Sequence, residues 1–356
     1  MEKTNLEVKQ NRNVTLDYLR VFAMFLILFD HLGLMRNPQW FLGSFVSKIF
    51  AKPLYIIEDF GKLAVCLFFL LTGYFFVPSL NRAKSRISFV LKRFTVLYIP
   101  TLVMTALFFV FQRILGSIFG SATFFFQFSP RQWLESGTLL GFFNGGCTFN
   151  GALWYLIPTM LFIALASFVY NTTVRGGAVM QNTILFSVIL ILFFIGKKVN
   201  FTPISVLCRY AWYLPQIMVG TTFYFVRTKA VSKGAGVIMT VISYLIIILG
   251  LQLFRLDYYI PTPYMPSFLY ALLIFVVALK IDLKPNKVIT FLASISFCVY
   301  LNHVLFGALV ASIFEQLPNK IHYSYIFIFS TLTSLAVGTV LHYLIEKPIR
   351  KLLRRL

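Results

Sequence analysis

The chain has 356 residues, of which 59% are hydrophobic and only 12% are charged, and its mean hydropathy is +0.82. This composition excludes an ordinary soluble domain and predicts an integral membrane protein in contact with the lipid bilayer. The formal net charge of +21 does not predict nucleic-acid binding, because the basic residues concentrate in loops between apolar runs, as expected of a membrane protein.

The apolar runs are continuous and roughly 20 residues long, which favours membrane-spanning helices over the alternating strands of a barrel. Ten spans are predicted, in chain order: 15–35, 57–78, 95–115, 151–170, 183–196, 207–226, 235–254, 264–280, 288–314 and 323–344. The polar start is followed by a long run without a small-residue cleavage site, so we expect no removable signal peptide. The predicted fold is an all-α, polytopic membrane helical bundle in which residues 1–356 form one domain.

Basic residues indicate the orientation of these spans. Most Lys and Arg residues lie in the N-terminal segment, in the loops after the even-numbered spans and in the C-terminal tail. Loops rich in Lys and Arg stay in the cytoplasm, so both termini are predicted to be cytoplasmic. On the opposite side, the long loop 116–150 contains aromatic residues, Gly and Asn, which suits either a lid over a site or an aromatic belt at the headgroups.

The first span is unusual because its sequence, LDYLRVFAMFLILFDHLG, contains Asp17, Arg20, Asp30 and His31. A charged side chain inside a spanning helix costs roughly 2.5 to 3.5 kcal/mol, so such residues usually face a cavity or one another. Arg20 and His31 share one helix face, about 16 Å apart along the axis, and are predicted to face one polar passage. Asp17 and Arg20, at i and i+3, also fit a structural ion pair, and Asp30 is expected to contact a neighbouring helix instead.

A second polar stripe lies in the ninth span, in the sequence ASISFCVYLNHVLF. Ser296, Tyr300 and His303 are spaced i, i+4 and i+7, which places them on one helix face. His31 and His303 each lie about 16 residues from the cytoplasmic start of their spans, so the two imidazoles are predicted to meet at a similar depth. The alternative for each histidine is a hydrogen-bonded packing residue.

Cysteines and histidines give no metal-binding pattern. Cys66, Cys147, Cys208 and Cys298 are scattered singly, without a C-x-x-C motif, and are expected to be packing residues. The 4 histidines are dispersed, and no convergent carboxylates accompany them, so no metal site is predicted.

Five segments resemble, in the same order, motifs of the acyltransferase-3 family, integral-membrane enzymes that move an acyl group from cytoplasmic acyl-CoA to carbohydrate hydroxyls. The segments are LDYLRVFAMFLILFDH, GKLAVCLFFLLTGYFF, GALWYLIP, SISFCVYLNH and LIEKPIRK. Thr72 stands where Ser is commoner, and Phe297 replaces a tyrosine. The family often has two arginines three apart before the third span, whereas this chain has Arg93 and then Val96. The resemblance extends nearly from end to end.

The resemblance implies catalytic roles for particular residues. His31 is the implied general base, or alternatively the residue that carries the acyl group covalently. The side chains of the second polar stripe are implied to orient the base or to stabilise the developing oxyanion. The implied catalytic residues besides the base are Arg20, Asp17, Tyr300, His303 and Ser296.

The resemblance also implies binding residues. The cations implied to hold the phosphates of CoA are Arg20, Lys92 and Arg93. Trp154 and Tyr155 are expected to form a platform for a sugar ring on the outer side. Glu346, near the end of the last span, is expected to be structural and to pair with a basic residue.

The implied function is transfer of an acyl group, acetyl being the commonest in the family, from acetyl-CoA or another acyl-CoA to a cell-surface or exported glycan. Such an enzyme is a multi-pass protein of the plasma membrane, here of a bacterium, with acyl-CoA and a carbohydrate acceptor as its partners and no metal. A proton-coupled transporter, or an exporter of a polysaccharide precursor, is the alternative, because it would also bury Asp, Arg and His. Transporters of that kind are built from inverted repeats with broken spans, which this sequence does not display.

Overall fold

The computed structural model of the protein describes residues 14–35, 37, 39–56, 60–119, 129–144, 150–170, 177–255, 264–315 and 321–355. Throughout these ranges the regular secondary structure is helical, without a strand. The α-helices are α1 (Val14–Phe29), α2 (Phe41–Val46), α3 (Phe60–Leu80), α4 (Arg86–Phe119), α5 (Pro130–Gly137), α6 (Gly141–Asn144), α7 (Leu156–Val169), α8 (Gly177–Lys198), α9 (Thr202–Tyr210), α10 (Leu214–Arg227), α11 (Lys233–Phe254), α12 (Tyr264–Lys280), α13 (Lys287–Asn302), α14 (Ala308–Glu315), α15 (Tyr323–Leu341) and α16 (Lys347–Arg355). The predicted all-α class is confirmed for this part of the chain.

Most of the long helices are apolar enough to cross a membrane. Within the described ranges, seven helical segments have the required length and composition: Phe60–Leu80, Arg86–Ile114, Gly151–Val169, Gly177–Lys198, Lys233–Phe254, Lys287–Phe314 and Tyr323–Leu353. Each overlaps one predicted span, and α1, α10 and α12 overlap the three other predicted spans. The chain is therefore a multi-pass helical membrane protein, while the count of ten spans and the cytoplasmic termini stay predictions.

Helix α3 is the central element of the bundle. It is the most buried of the seven segments, and it packs against α1, α10 and α12. Gly73 and Gly220 form its closest contact, because a Cβ on Gly73 would overlap the carbonyl oxygen of Ile217 and one on Gly220 would overlap that of Leu70. The two glycines thus let α3 and α10 pack backbone against backbone, as small residues do in other membrane helix pairs.

The outer faces of the peripheral helices are apolar. On α8 and α11, the side chains of Ile191, Phe194, Val237, Ile238 and Leu245 are all more than half exposed. Exposed aliphatic and aromatic surface of this kind suits lipid tails and would be costly in water. The same exposure distinguishes these helices from α3, which lies inside the bundle.

Part of the long loop 116–150 is helical. Ser129 caps α5 with a capping box: its Oγ accepts from the backbone N–H of Gln132, and the Gln132 side chain accepts from the backbone N–H of Ser129. Residues 120–128 and 145–149 lie outside the described residues, and with them Cys147 and the choice between a lid and an aromatic belt. Cys66, Cys208 and Cys298 are buried free thiols, as predicted.

Because α3 and α10 are in backbone contact, we expect a single methyl group added at Gly220 to lower the stability of the protein. Gly220→Ala places a Cβ against the Leu70 carbonyl, and we expect the forced separation of the helices to lower stability by about 1–3 kcal/mol. Gly234→Ala is the matched control, because a Cβ there meets nothing within 4 Å. Thermal unfolding of detergent-purified protein, followed by fluorescence-detected size exclusion, measures both. Equal midpoints for the two variants would contradict the packing described above.

Candidate functional site

Among the described residues, three cavities have cationic or histidine side chains in their linings. We name them the arginine cavity, of about 590 Å³, the histidine cavity, of about 120 Å³, and the basic cleft, of about 410 Å³. The arginine cavity is lined by Arg20, Arg93 and Arg350, the histidine cavity by His31, Lys62 and His303, and the basic cleft by Arg82, Lys84 and Lys92.

The cavities adjoin one another in a row. Arg93, Val96 and Arg350 line both the basic cleft and the arginine cavity. The arginine cavity in turn shares three lining residues with the histidine cavity, namely Ile27, Val65 and Tyr300. A series of adjoining but separate cavities therefore lies between a cluster of cations and a pair of imidazoles.

The histidine cavity brings the two predicted imidazoles together. The rings of His31 and His303 are 5.1 Å apart between centroids and nearly perpendicular. His303 is fully buried, and its Nδ1 lies 2.6 Å from the carbonyl oxygen of Tyr300. Because a carbonyl only accepts hydrogen bonds, this contact requires the proton on Nδ1 and leaves a lone pair on Nε2. That Nε2 atom is buried and has no hydrogen-bond partner among the described residues.

Asp30 lies behind His31, where the sequence did not place it. Its Oδ2 atom is 3.3 Å from Nδ1 of His31, and the carboxylate is fully buried while the imidazole is 30% exposed. Asp30 lines none of the three cavities, in line with the prediction that it does not face the passage, but its contact with His31 was not predicted. The physical reason is the local helix geometry, since Asp30–Leu34 is a π-helical turn rather than a continuation of α1.

The histidines that line cavities all lie in π-helical turns. The turns are Asp30–Leu34 after α1, His303–Gly307 after α13 and His342–Glu346 after α15, which contain His31, His303 and His342. A π turn holds an extra residue compared with an α turn, so it rotates the following side chains relative to the helix before it. Such turns are frequent at functional sites.

Arg20 forms the predicted ion pair with Asp17 and also faces a cavity. Its Nη1 atom is 3.3 Å from Oδ1 of Asp17, as expected of an i, i+3 ion pair. Its guanidinium also lies over the ring of Phe75, 5.6 Å from the centroid, and lines the arginine cavity. Arg20 and His31 therefore do not line one undivided passage: they line two cavities that meet beside Tyr300.

Tyr300 occupies the junction of these two cavities. Its hydroxyl donates a hydrogen bond to the carbonyl oxygen of Ala152, and its ring centroid is 5.6 Å from that of Tyr155 and 5.8 Å from that of His303. Ser296, one turn earlier, lines only the arginine cavity and donates to the Ala293 carbonyl at 2.9 Å. The predicted stripe is present, but its three members are divided between the cavities.

Trp154 and Tyr155 lie in different cavities. Trp154 lines the histidine cavity, whereas Tyr155 lines the arginine cavity, where its hydroxyl is 3.1 Å from Oγ1 of Thr72. The two residues end the 3₁₀ helix Gly151–Tyr155, in which successive side chains are about 120° apart. The expected single platform on the outer side is therefore split, and only Trp154 faces the two imidazoles.

Glu346 pairs with a basic residue, as predicted. The carboxylate is buried, and its Oε1 accepts from Nε and Nη2 of Arg350 at 2.8 and 2.6 Å. Its Oε2 lies 2.7 Å from Nδ1 of His342 and accepts from the thiol of Cys298 at 3.3 Å. Both carboxylate oxygens thus have donors, and Arg350 is held at the boundary of the arginine cavity and the basic cleft.

The same cluster contains the ligand atoms that could surround a metal ion in the described ranges. The ligand atoms of Cys298, His342 and Glu346 lie within 4.8 Å of one another. No spacing in the sequence predicts this group, because Cys298 lies on α13, far along the chain from the other two residues. The hydrogen bonds to Glu346 and its ion pair with Arg350 account for the arrangement.

Lys62 is a cavity residue that the motifs did not single out. It lies near the start of α3, is only 8% exposed and lines the histidine cavity with both imidazoles. A lysine inside an otherwise apolar span is itself the signal, because such residues usually face a cavity. Lys92, which the motifs did single out, lines the basic cleft but not the arginine cavity.

Comparison with known proteins assigns the chain to a family model described as an acyltransferase domain, which matches residues 13–343. The match covers nearly the whole chain and includes every residue that lines the three cavities except Glu346, Arg350 and Leu353. Searches of curated proteins and of solved structures gave no match.

Because the Glu346 carboxylate is buried, we expect substitution of its partner Arg350 to lower the stability of the protein. Arg350→Met removes two charge-assisted hydrogen bonds from a buried acid, and we expect a loss of about 1–3 kcal/mol. Lys351→Met, at an exposed position one residue on, is expected to have little effect. Adding Glu346→Gln to Arg350→Met removes the buried charge and should recover part of the loss. Thermal unfolding midpoints of the wild type, the two single variants and the double variant measure these effects. An Arg350→Met variant as stable as the wild type would argue against the ion pair.

Proposed function

The chain belongs to the acyltransferase-3 family of membrane enzymes, and we propose that it transfers an acetyl group from cytoplasmic acetyl-CoA to a hydroxyl of a cell-surface or exported glycan. The observation that carries the proposal is the row of adjoining cavities, which has cations at one end and two imidazoles at the other. An acyl donor with a charged head and a long neutral arm suits this arrangement, because its head would lie among the cations while its arm extends toward the imidazoles.

The basic cleft suits the phosphates of CoA. Its lining includes the cations Arg82, Lys84, Lys92, Arg93 and Arg350. Arginine binds phosphate with paired, charge-assisted hydrogen bonds, and lysine adds positive charge. The cleft is built partly from the segment after α3, which the distribution of basic residues predicts to be cytoplasmic. Acetyl-CoA would therefore enter from the side on which it is made.

This chain departs from the family motif at Val96, and another arginine lines the same cavities as this residue. Val96 stands where the family often has a second arginine, and it lines both the basic cleft and the arginine cavity. Arg350 lines the same two cavities, so a guanidinium from α16 faces the space beside Val96. In our proposal Arg93 and Arg350 together hold the phosphates nearest the bundle interior.

The arm of the donor would extend through the arginine cavity toward Tyr300. Arg20 and His31 are about 16 Å apart along α1, a distance comparable to the length of a pantetheine arm. Apolar side chains such as Ile27 and Phe75 line the cavity alongside the arginines. The thioester would then reach the junction with the histidine cavity while the phosphates stay in the basic cleft.

His31 is the proposed general base. Its imidazole would take the proton of the acceptor hydroxyl as that oxygen attacks the thioester carbonyl, a contribution of typically 10²–10⁴ in rate. A carbon–oxygen bond forms, the carbon–sulfur bond breaks, and the proton passes from His31 to the departing thiolate, so the products are the ester and CoA. The lone pair on Nε2 of His303 would accept a hydrogen bond from the acceptor, and Trp154 offers a ring for stacking against a sugar.

A covalent route through His31 is the alternative chemistry. In that route the imidazole attacks the thioester first and transfers the acyl group in a second step. Incubation of the purified protein with acetyl-CoA alone, followed by mass spectrometry, distinguishes the two. An acetylated His31 peptide supports the covalent route, and an unmodified peptide supports direct transfer.

Loss of the His31 imidazole should abolish transfer. We expect His31→Ala to reduce ester-linked acetate on the surface polysaccharide to background, because the proposed reaction then lacks the imidazole that takes the proton of the acceptor hydroxyl. His322→Ala is the control, since His322 lies at the start of α15 and lines none of the three cavities. Acetate is measured in cells with equal membrane levels of each protein. Unchanged acetate in His31→Ala would defeat the proposal.

Arg93 should matter for donor binding. We expect Arg93→Gln to weaken binding of radiolabelled acetyl-CoA to the purified protein by roughly tenfold or more, because a charge-assisted hydrogen bond is lost. Arg131→Gln on the exposed surface of α5 is the control and should bind normally. A wild-type protein that binds no acetyl-CoA would favour the transporter alternative.

A further inference from the structure

We propose that Asp30 is a positioning residue, whose carboxylate fixes the tautomer and the orientation of the His31 imidazole. The inference rests on the proposed function, in which His31 is the base. It concerns Asp30, to which the motifs assign no role, and the histidine that follows it in the π turn after α1.

The exposure of the two side chains fits a carboxylate that acts through an imidazole. The Asp30 side chain is fully buried, so it cannot touch an acceptor or a donor in the cavity. The His31 ring is 30% exposed and lines the histidine cavity. Nδ1 of His31 is buried and lies 3.3 Å from Oδ2 of Asp30, so the carboxylate is beside the nitrogen that faces away from the cavity, although the two atoms do not meet hydrogen-bond geometry. Catalytic contacts that are long or poorly aligned without substrate often tighten when substrate binds.

The π turn is what lets two neighbouring residues meet. In an α-helix, consecutive side chains point about 100° apart and do not face each other. Here the backbone N–H of Met35 donates to the Asp30 carbonyl at 2.9 Å, which closes the wider turn around residues 30–34. The altered backbone brings the carboxylate of Asp30 beside the imidazole of His31.

The other groups around His31 do not supply this contact. His303, Tyr300, Lys62 and Tyr264 line the histidine cavity with it, and no Asp or Glu of the described residues is among the lining. The His303 ring lies 5.1 Å from the His31 ring between centroids, inclined at 67°, and neither Nδ1 of His31 nor Nε2 of His303 has a hydrogen-bond partner among the described residues. The Asp30 carboxylate is the anion that would stabilise an imidazolium formed during the reaction.

A carboxylate in this position has two consequences for a general base. It holds the proton on Nδ1, so that Nε2 carries the lone pair that accepts the hydroxyl proton. It also stabilises the positive charge on the ring until the proton passes to the thiolate. An amide in its place offers an N–H as well as an oxygen, so it no longer specifies which nitrogen of His31 carries the proton.

Kinetics of purified variants test the role. We expect Asp30→Asn to lower kcat by on the order of 10²–10⁴, with KM for acetyl-CoA unchanged, and Asp30→Glu to recover part of the activity. In a His31→Ala background, Asp30→Asn should cause no further loss, because the carboxylate acts only through the imidazole. Ser243→Ala, a buried polar substitution on α11 outside the cavities, is the control. Independent losses in the double variant would overturn the proposal.

A spectroscopic measurement tests the same role without turnover. The chain has only 4 histidines, so nitrogen-15 labelling of histidine and comparison with His31→Ala identify the His31 signals. We expect the Nδ1–H tautomer in the wild type and a changed tautomer population in Asp30→Asn. An unchanged population would overturn the inference. If the wild-type enzyme transfers no acyl group, the proposed function fails, whereas this readout still decides whether Asp30 positions His31.

Discussion

The close approach of two π turns holds the candidate site together. The turns Asp30–Leu34 and His303–Gly307 pack against each other, and Gly307 favours this contact because a Cβ there would press on Oγ of Ser334 and on the side chain of Leu32. This contact sets the 5.1 Å separation of the two imidazoles. Burying a polar imidazole against lipid or aliphatic side chains costs free energy. Because the two rings face each other and a shared cavity, this cost is reduced for both.

Buried amides fix the helix that contributes His303. On one side, Nδ2 of Asn150 donates to the Leu301 carbonyl at 2.8 Å, and on the other, Nδ2 of Asn302 donates to the Ser334 carbonyl at 3.0 Å. Hydrogen bonds in so apolar a setting are strong, and breaking one would strand a buried polar group. Residues next to His303 are therefore tied to two other segments of the bundle, which limits how far the ring can move from His31.

The sequence predicted the fold from composition, because long apolar runs have few alternatives in a membrane. Helical periodicity and depth were enough to predict the meeting of His31 and His303. They were not enough for Asp30, since a π turn breaks the 3.6-residue periodicity on which its direction was judged. Lys62 carried a signal as a charge in an apolar run, but its cavity and the position of Arg350 depend on contacts between helices distant in the chain. Local patterns do not specify such contacts.

Tyr300 separates the cations from the imidazoles, and this division has a chemical use in the proposed reaction. A thioester exposed to a continuous water-filled channel would meet water as readily as a glycan hydroxyl, whereas a closed junction excludes that competitor. The Tyr300 hydroxyl donates to the Ala152 carbonyl, and one such bond is worth about 0.5–1.5 kcal/mol net. That free energy is small compared with the binding energy of a multiply charged donor. The hydrogen bond of Tyr300 is therefore a weak part of the boundary that Ile27 and Val65 also form between the two cavities.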